Sequence, residues 1–179
     1  MRFLLLFAAL LLTLSTAHAE GRFDQGKMNL GLGAGGGSSS TSSSFSISAS
    51  FGYFVIDRLR PSIAVSYRWQ DFDGFGSTHE VNTNLALRYY LVETDTVSPF
   101  LVVDGGHVHL VDNAFFKDDF DYFSIFMGGG ATVAITDNFG LDIILGAIRY
   151  LGVDDKLIDR KVVDDGFAFY WTAGFTVSF

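Results

Sequence analysis

Two groups of residues in this chain have types and spacings that bear on chemistry. The first is His107-Val108-His109. On an extended strand residues i and i+2 share a face, so the two imidazoles would project together as a base or as a pair of metal ligands. A base needs a nucleophile within hydrogen-bond reach. Ser124 lies on the next strand, but its parity is inward where that of His109 is outward, so the two should not meet. A zinc site needs at least three convergent protein ligands, and His79 falls on another part of the same rim. No catalytic, cofactor or metal residue is therefore assigned.

The second group is a set of charges set among apolar residues: Arg68, Glu80, Arg88, Asp104 and Asp142. Antiparallel pairing around the 71–78 loop places residues whose numbers sum to about 148 opposite one another. Arg68 then faces Glu80. The same estimate around the 93–96 turn brings Arg88 near Asp104, with Asp142 inward on a later strand. Charges held away from water must pair or meet ordered water. They predict an interior ion-pair network that plugs a narrow lumen, and the competing reading is a narrow passive path for ions or small solutes.

These side chains need elements that aim them inward. The last thirteen residues alternate, with Phe167, Phe169, Trp171, Ala173, Phe175, Val177 and Phe179 on one face and small or polar residues on the other. A period of two marks a strand, and the length suits a tilted bilayer-crossing strand of roughly 9–11 residues. Similar alternation predicts strands over 27–34, 45–55, 62–70, 79–91, 100–109, 121–136 and 140–150. Arg149 falls on the outward parity of its strand, which predicts a bulge or an early strand end. Long loops (35–44, 71–78, 110–120, 152–166) alternate with short turns, as in membrane barrels. The fold class is all-β: an eight-stranded antiparallel up-and-down transmembrane β-barrel. Its outward apolar faces are ringed by Tyr53, Tyr67, Trp69, Tyr89, Tyr150 and Trp171.

Composition agrees with this reading. There are 20 glycines, 2 prolines and 16% aromatic residues, which suit a crowded inner face and aromatic rims. Mean hydropathy is positive, yet no stretch beyond the leader reaches the ~18 apolar residues of a spanning helix. Arg2, the apolar run 3–12 and Ala17-His18-Ala19 form a secretory signal with an A-x-A cleavage site. Residues 1–19 are expected to be a cleaved leader and 20–179 the barrel. With no cysteine, there is neither a disulfide framework nor a thiolate metal site.

Gly52-Tyr53-Phe54-Val55-Ile56-Asp57, Ser98-Pro99-Phe100-Leu101, Thr136-Asp137-Asn138-Phe139-Gly140-Leu141 and Gly174-Phe175-Thr176-Val177-Ser178-Phe179 resemble the phrases of small OmpA-like and OmpX-like outer-membrane barrels. The resemblance covers essentially all of 20–179. It implies the outer membrane of a Gram-negative bacterium, and an assembly signal at Phe175, Val177 and Phe179 read by the barrel assembly machinery. The peptidoglycan-binding domain of the full-length OmpA type has no counterpart here. Lipid A deacylases of similar size carry a His-x-Ser pair, whereas His109 stands at the serine position. The expected protein is non-enzymatic, with a structural or surface-interaction role; a narrow passive channel is the first alternative and a lipid A-modifying enzyme the weaker one.

The long loops after the first carry eleven aspartates against Lys117, Lys156, Arg160 and Lys161, a surplus close to the chain's net charge of −8. Carboxylates are hard ligands, so divalent cations bridging to lipopolysaccharide are one expectation and a solvated fringe the other. Apolar pairs on exposed loops are candidate contacts: Phe115 with Phe116, and Leu157 with Ile158. No basic patch favours nucleic acid. The expected partners are outer-membrane lipids and lipopolysaccharide, around a monomer.

Overall fold

The computed structural model describes residues 21–38, 42–72, 76–113, 120–154, 158 and 167–179. The leader (1–19), Phe115, Phe116 and Leu157 lie outside the described residues. Eight strands follow in order: β1 (Met28–Ser38), β2 (Ser42–Tyr53), β3 (Leu59–Phe72), β4 (Gly76–Tyr90), β5 (Val97–Asn113), β6 (Phe120–Ala134), β7 (Phe139–Leu151) and β8 (Phe167–Ser178). Each pairs antiparallel with its sequence neighbours, and β1 pairs with β8 from Asn29↔Ser178 to Gly36↔Trp171, closing the barrel. Closure leaves no open edge along the paired length of the sheet.

The strands run past their expected ends on the long-loop side. The run 35–44 reads as a flexible glycine–serine loop, yet Gly36↔Phe45, Gly37↔Ser44 and Ser38↔Ser43 continue the β1–β2 ladder. Backbone ladders do not need side chains, and pairing on both edges overrides the low strand propensity of glycine and serine. Glycine is also required there by close approach. A Cβ on Gly35 would strike the carbonyl oxygen of Trp171 on β8.

β5 likewise extends to Asn113, four residues beyond its expected end. The extension carries a bulge: His79 faces Asp112 while Glu80 faces Leu110, leaving Val111 without a partner. One extra residue re-aims the strand at the rim, with Leu110 buried and Val111 exposed. No bulge occurs at Arg149, which keeps regular ladder positions opposite Ile125 and Phe167. Its outward guanidinium instead lies over the Phe167 ring, 5.6 Å from the centroid. At the short-turn end β6 stops at Ala134, and the Ile135 and Thr136 N–H groups both donate to the Phe139 carbonyl.

Alternation puts the large apolar side chains outside. Leu85 is 71% exposed and Phe167 70%, while Glu80 on the inner face is 2% exposed. Inside, one cluster gathers Phe23, Phe54, Tyr90, Phe100, Val102, Phe126 and Ile148, and a smaller one gathers Val108, Leu110 and Tyr122. Tyr150 is not part of the outer ring. Its even parity on β7 turns it inward, where its ring packs edge-on to Tyr122 at 5.4 Å.

Candidate functional site

Among the described residues, charged side chains pair away from solvent in the lumen, and two polar layers cross it. The layer nearer the long loops centres on Arg68. β3 and β4 set Arg68 opposite Glu80, and Nη1 lies 3.3 Å from Glu80 Oε2. The same Nη1 donates to the Tyr150 hydroxyl. Tyr122 donates to Glu80 Oε1 at 2.8 Å. The Arg68 guanidinium lies 5.2 Å from the Tyr170 ring centroid, and the Tyr170 hydroxyl bonds Ser46 Oγ at 2.6 Å. Six strands thus contribute to one sheet of contacts across the barrel. Charge-assisted bonds of this kind are stronger than neutral ones, and the tyrosine faces add cation–π attraction.

The layer nearer the short turns centres on Arg88. Its partner is Asp142 on β7, at 2.5 Å across the lumen, rather than Asp104. The β4–β5 ladder places Arg88 opposite Val102 and Asp104 opposite Ala86. Facing residues here have numbers that sum to 190, in keeping with the 93–96 turn, whereas an Arg88–Asp104 pair needs 192. The ladder keeps both side chains inward but moves their heights apart by two residues. Asp142 also accepts from Thr132 Oγ1 at 2.6 Å, and the Arg88 guanidinium lies 4.0 Å over the Phe100 ring. Arg60 joins this layer by donating to Asn29 Oδ1, while Asn29 Nδ2 donates to Thr176 Oγ1 and Ser178 Oγ at 2.6 and 3.1 Å. Asp104 sits between the layers and accepts from Asn84 Nδ2 at 3.3 Å.

Several of these residues escape a reading of charges alone. Arg60 looks like part of a turn, although it shares parity with Arg68, and strand β3 begins at Leu59. Tyr90, Tyr122, Tyr150 and Tyr170 are all inward by parity, which was the available signal. Phe23, in a polar lead before β1, has no periodic neighbour to reveal it, yet it is 1% exposed.

The histidine motif behaves differently from its expectation in one respect. His107 Nε2 and His109 Nδ1 lie 3.2 and 2.9 Å from the same oxygen, Asp121 Oδ1, on the outer face. A carboxylate therefore does converge on both imidazoles. Even so, among the described residues no group of three His, Cys, Asp or Glu side chains is arranged to hold a metal ion. Ser124 is buried on the inner face opposite Gly106, so the barrel wall separates it from His109. His79 bonds the Tyr67 hydroxyl instead. Of the candidate loop contacts, Ile158 is half-buried, and its N–H reaches the Asp154 carbonyl at 3.4 Å.

Of the expected assembly residues, Phe175 and Val177 lie on β8 and Phe179 follows it directly. Phe175 is exposed and stacks on Phe139 at 5.3 Å. Val177, although of outward parity, is buried between Leu30 and Phe139 in the ladder. Phe179 exchanges two backbone hydrogen bonds with Met28, 2.8 and 3.0 Å long, fastening the carboxyl end to the start of β1.

No protein-family model matches this chain, and no curated protein matches it in sequence. Solved structures do match. The N-terminal β-barrel domain of Pseudomonas aeruginosa OprF superposes with a TM-score of 0.62 at 16% identity, over 87% of this chain and 98% of that one. OprG of the same organism gives 0.62 at 10% identity, over 89% and 99%. Neisserial surface protein A gives 0.58 at 20% identity, over 86% and 96%. At these identities the likeness is one of fold: the chain has the architecture of small eight-stranded outer-membrane β-barrels.

Proposed function

We propose that the chain is an exported, non-enzymatic β-barrel of a Gram-negative outer membrane, with a closed lumen and a structural and surface-interaction role. The observation that carries this reading is the pair of buried ion-paired layers: Arg88–Asp142 reaches across the lumen, and Arg68–Glu80 is carried across it by Tyr122, Tyr150 and Tyr170. An eight-stranded barrel has an interior just filled by side chains, and two such layers in series leave no continuous polar path. The outward face supports membrane insertion. Ile63, Val65, Leu85, Leu101, Met127 and Leu145 are all exposed, and a soluble protein rarely presents so continuous an apolar surface. The loops, rich in aspartate, are the surface offered to divalent cations, lipopolysaccharide or other partners. Phe175, Val177 and Phe179 are the segment offered to the assembly machinery.

Planar-bilayer recording tests the closed lumen. The refolded protein should show no reproducible conductance, and Arg88→Ala should not create a stable open level while the Arg68 layer stands. Steady single-channel openings whose size changes in Arg88→Ala would replace this reading with that of a narrow channel.

A further inference from the structure

The short-turn mouth is sealed by a segment that belongs to none of the strands. Residues 21–27 run beneath the barrel and touch all three short turns. At the β2–β3 turn the Arg58 N–H donates to the Phe23 carbonyl at 2.8 Å, the Gln25 N–H to Asp57 Oδ1 at 2.9 Å, and the Gly26 N–H to the Phe54 carbonyl at 2.9 Å. At the β4–β5 turn Glu93 Oε1 accepts from the Arg22 N–H at 2.5 Å. At the β6–β7 turn the Arg22 side chain donates to the carbonyls of Asp137 and Thr136, at 2.9 and 3.1 Å. Between these anchors Phe23 points into the lumen, its ring stacked on Tyr90 at 3.7 Å and 15° and tilted against Phe54 at 5.7 Å.

The geometry points to a peptide-binding site at this mouth, filled in cis. An aromatic side chain enters a socket made by Phe54, Tyr90 and Phe100, and an adjacent guanidinium reads the free carbonyls of a neighbouring turn. Both halves of the recognition have a physical basis. Phe23 supplies apolar burial and ring stacking. Arg22 supplies a rigid fork of donors matched to two turn carbonyls, which orphan acceptors at a strand end favour. The segment adds no rung to the barrel before Gly26, so it can leave without breaking the β1–β8 closure. Occupancy of the socket then governs access to the lower lumen from the short-turn side, while the Arg68 layer keeps the far side closed. The ligand class is a short peptide carrying an arginine followed by an aromatic residue, supplied by the chain itself. This inference concerns the lower mouth alone and does not depend on the protein's partner or on its loops.

The chain has no cysteine, so a single engineered thiol reports access directly. Val102 belongs to the same buried cluster as Phe23, and Val102→Cys is close to isosteric. In detergent-folded Val102→Cys protein, a small charged methanethiosulfonate reagent should label slowly. Adding Arg22→Ala and Phe23→Ala together should raise the rate by about tenfold or more, as expected when local opening limits access. A synthetic peptide of residues 20–27, added in trans, should restore protection, and the same peptide carrying Phe23→Ala should not. Arg22→Ala alone serves as a milder variant that keeps the aromatic ring, and should give an intermediate rate. The gel mobility of the folded form is checked in each case. Equal labelling with and without the plug, fast labelling of the parent, or failure of the trans peptide to protect would each overturn the proposal. So would loss of the folded barrel in both plug variants, since the segment would then be structural rather than displaceable.

Discussion

The two ends of the lumen are closed by different materials. Near the long loops the closure is built from strand residues alone: Arg68, Glu80, Tyr122, Tyr150, Tyr170 and Ser46, side chains of six strands joined by hydrogen bonds and by the Arg68 guanidinium over the Tyr170 ring. Near the short turns one ion pair, Arg88–Asp142, lies against an aromatic stack whose outermost ring, Phe23, comes from the segment before β1. The first closure cannot move without distorting the wall. The second contains a removable part. The difference follows from what surrounds each guanidinium: Arg68 has Glu80, the Tyr150 hydroxyl and the faces of Tyr150 and Tyr170, whereas in the lower layer Arg88 depends on the one carboxylate of Asp142, with a 3.2 Å bond to the Tyr90 hydroxyl beside it.

That dependence gives the largest expected effect. Asp142→Ala removes the charged acceptor of Arg88 and the acceptor of Thr132 Oγ1 together, and leaves Arg88 and Arg60 in one layer without a carboxylate between them, with only the Tyr90 hydroxyl still bonded to Arg88. Breaking a buried pair from one side costs about 3–5 kcal/mol. Urea unfolding in detergent, followed by the gel mobility of the folded form, should show a loss in this range. A loss below about 1 kcal/mol would mean that the lower layer is hydrated rather than sealed, because such small values belong to exposed pairs. Replacing both partners together, as in Arg88→Met with Asp142→Leu, should restore much of the stability.

How much of this was legible beforehand depends on the length scale. Parity gave the barrel, the facing of Arg68 and Glu80, and the inward aim of Asp142, since these need only a period of two and one loop centre. The pairing of Arg88 was not legible. Setting Arg88 beside Asp104 stands two positions off the ladder that puts it opposite Val102, and a shift of two preserves parity and so raises no internal contradiction. Contacts across the lumen, such as Arg88 with Asp142 or Arg68 with Tyr150, join strands far apart in the sheet order and depend on how the barrel is closed. Phe23 and Arg22 were invisible for another reason. A plug segment has no periodicity, and its polar composition resembles any solvated lead. Tyr150 was misplaced for a plainer reason, an aromatic residue being assigned to the rim against its own parity.

The upper layer should be more forgiving. Glu80→Gln keeps the shape and an acceptor for Tyr122, and Arg68 retains the Tyr150 hydroxyl and the faces of Tyr150 and Tyr170. The expected loss is about 1–3 kcal/mol, the range for hydrogen bonds to charged groups. The comparison of the two ends predicts that this loss is smaller than that of Asp142→Ala in the same assay. The reverse order would show that the tyrosines do not compensate Arg68, and that both closures rest on their carboxylates alike.

The smallest effect tests the tyrosines themselves. Tyr170→Phe deletes one hydroxyl and leaves the ring in place under Arg68 and edge-on to Phe126, 6.1 Å away. What is lost is the 2.6 Å bond to Ser46 Oγ, and Ser46 is buried. A net contribution of about 0.5–1.5 kcal/mol is expected for a neutral bond of this kind. Ser46→Ala alone should cost a similar amount, because the Tyr170 hydroxyl is then the group left unpaired. If the two hydroxyls serve only each other, the double variant should lose no more than either single one, since removing both partners can be nearly neutral. Additive losses would mean that each hydroxyl has a second partner, and that the upper layer reaches further into the lumen than the Arg68 contacts alone.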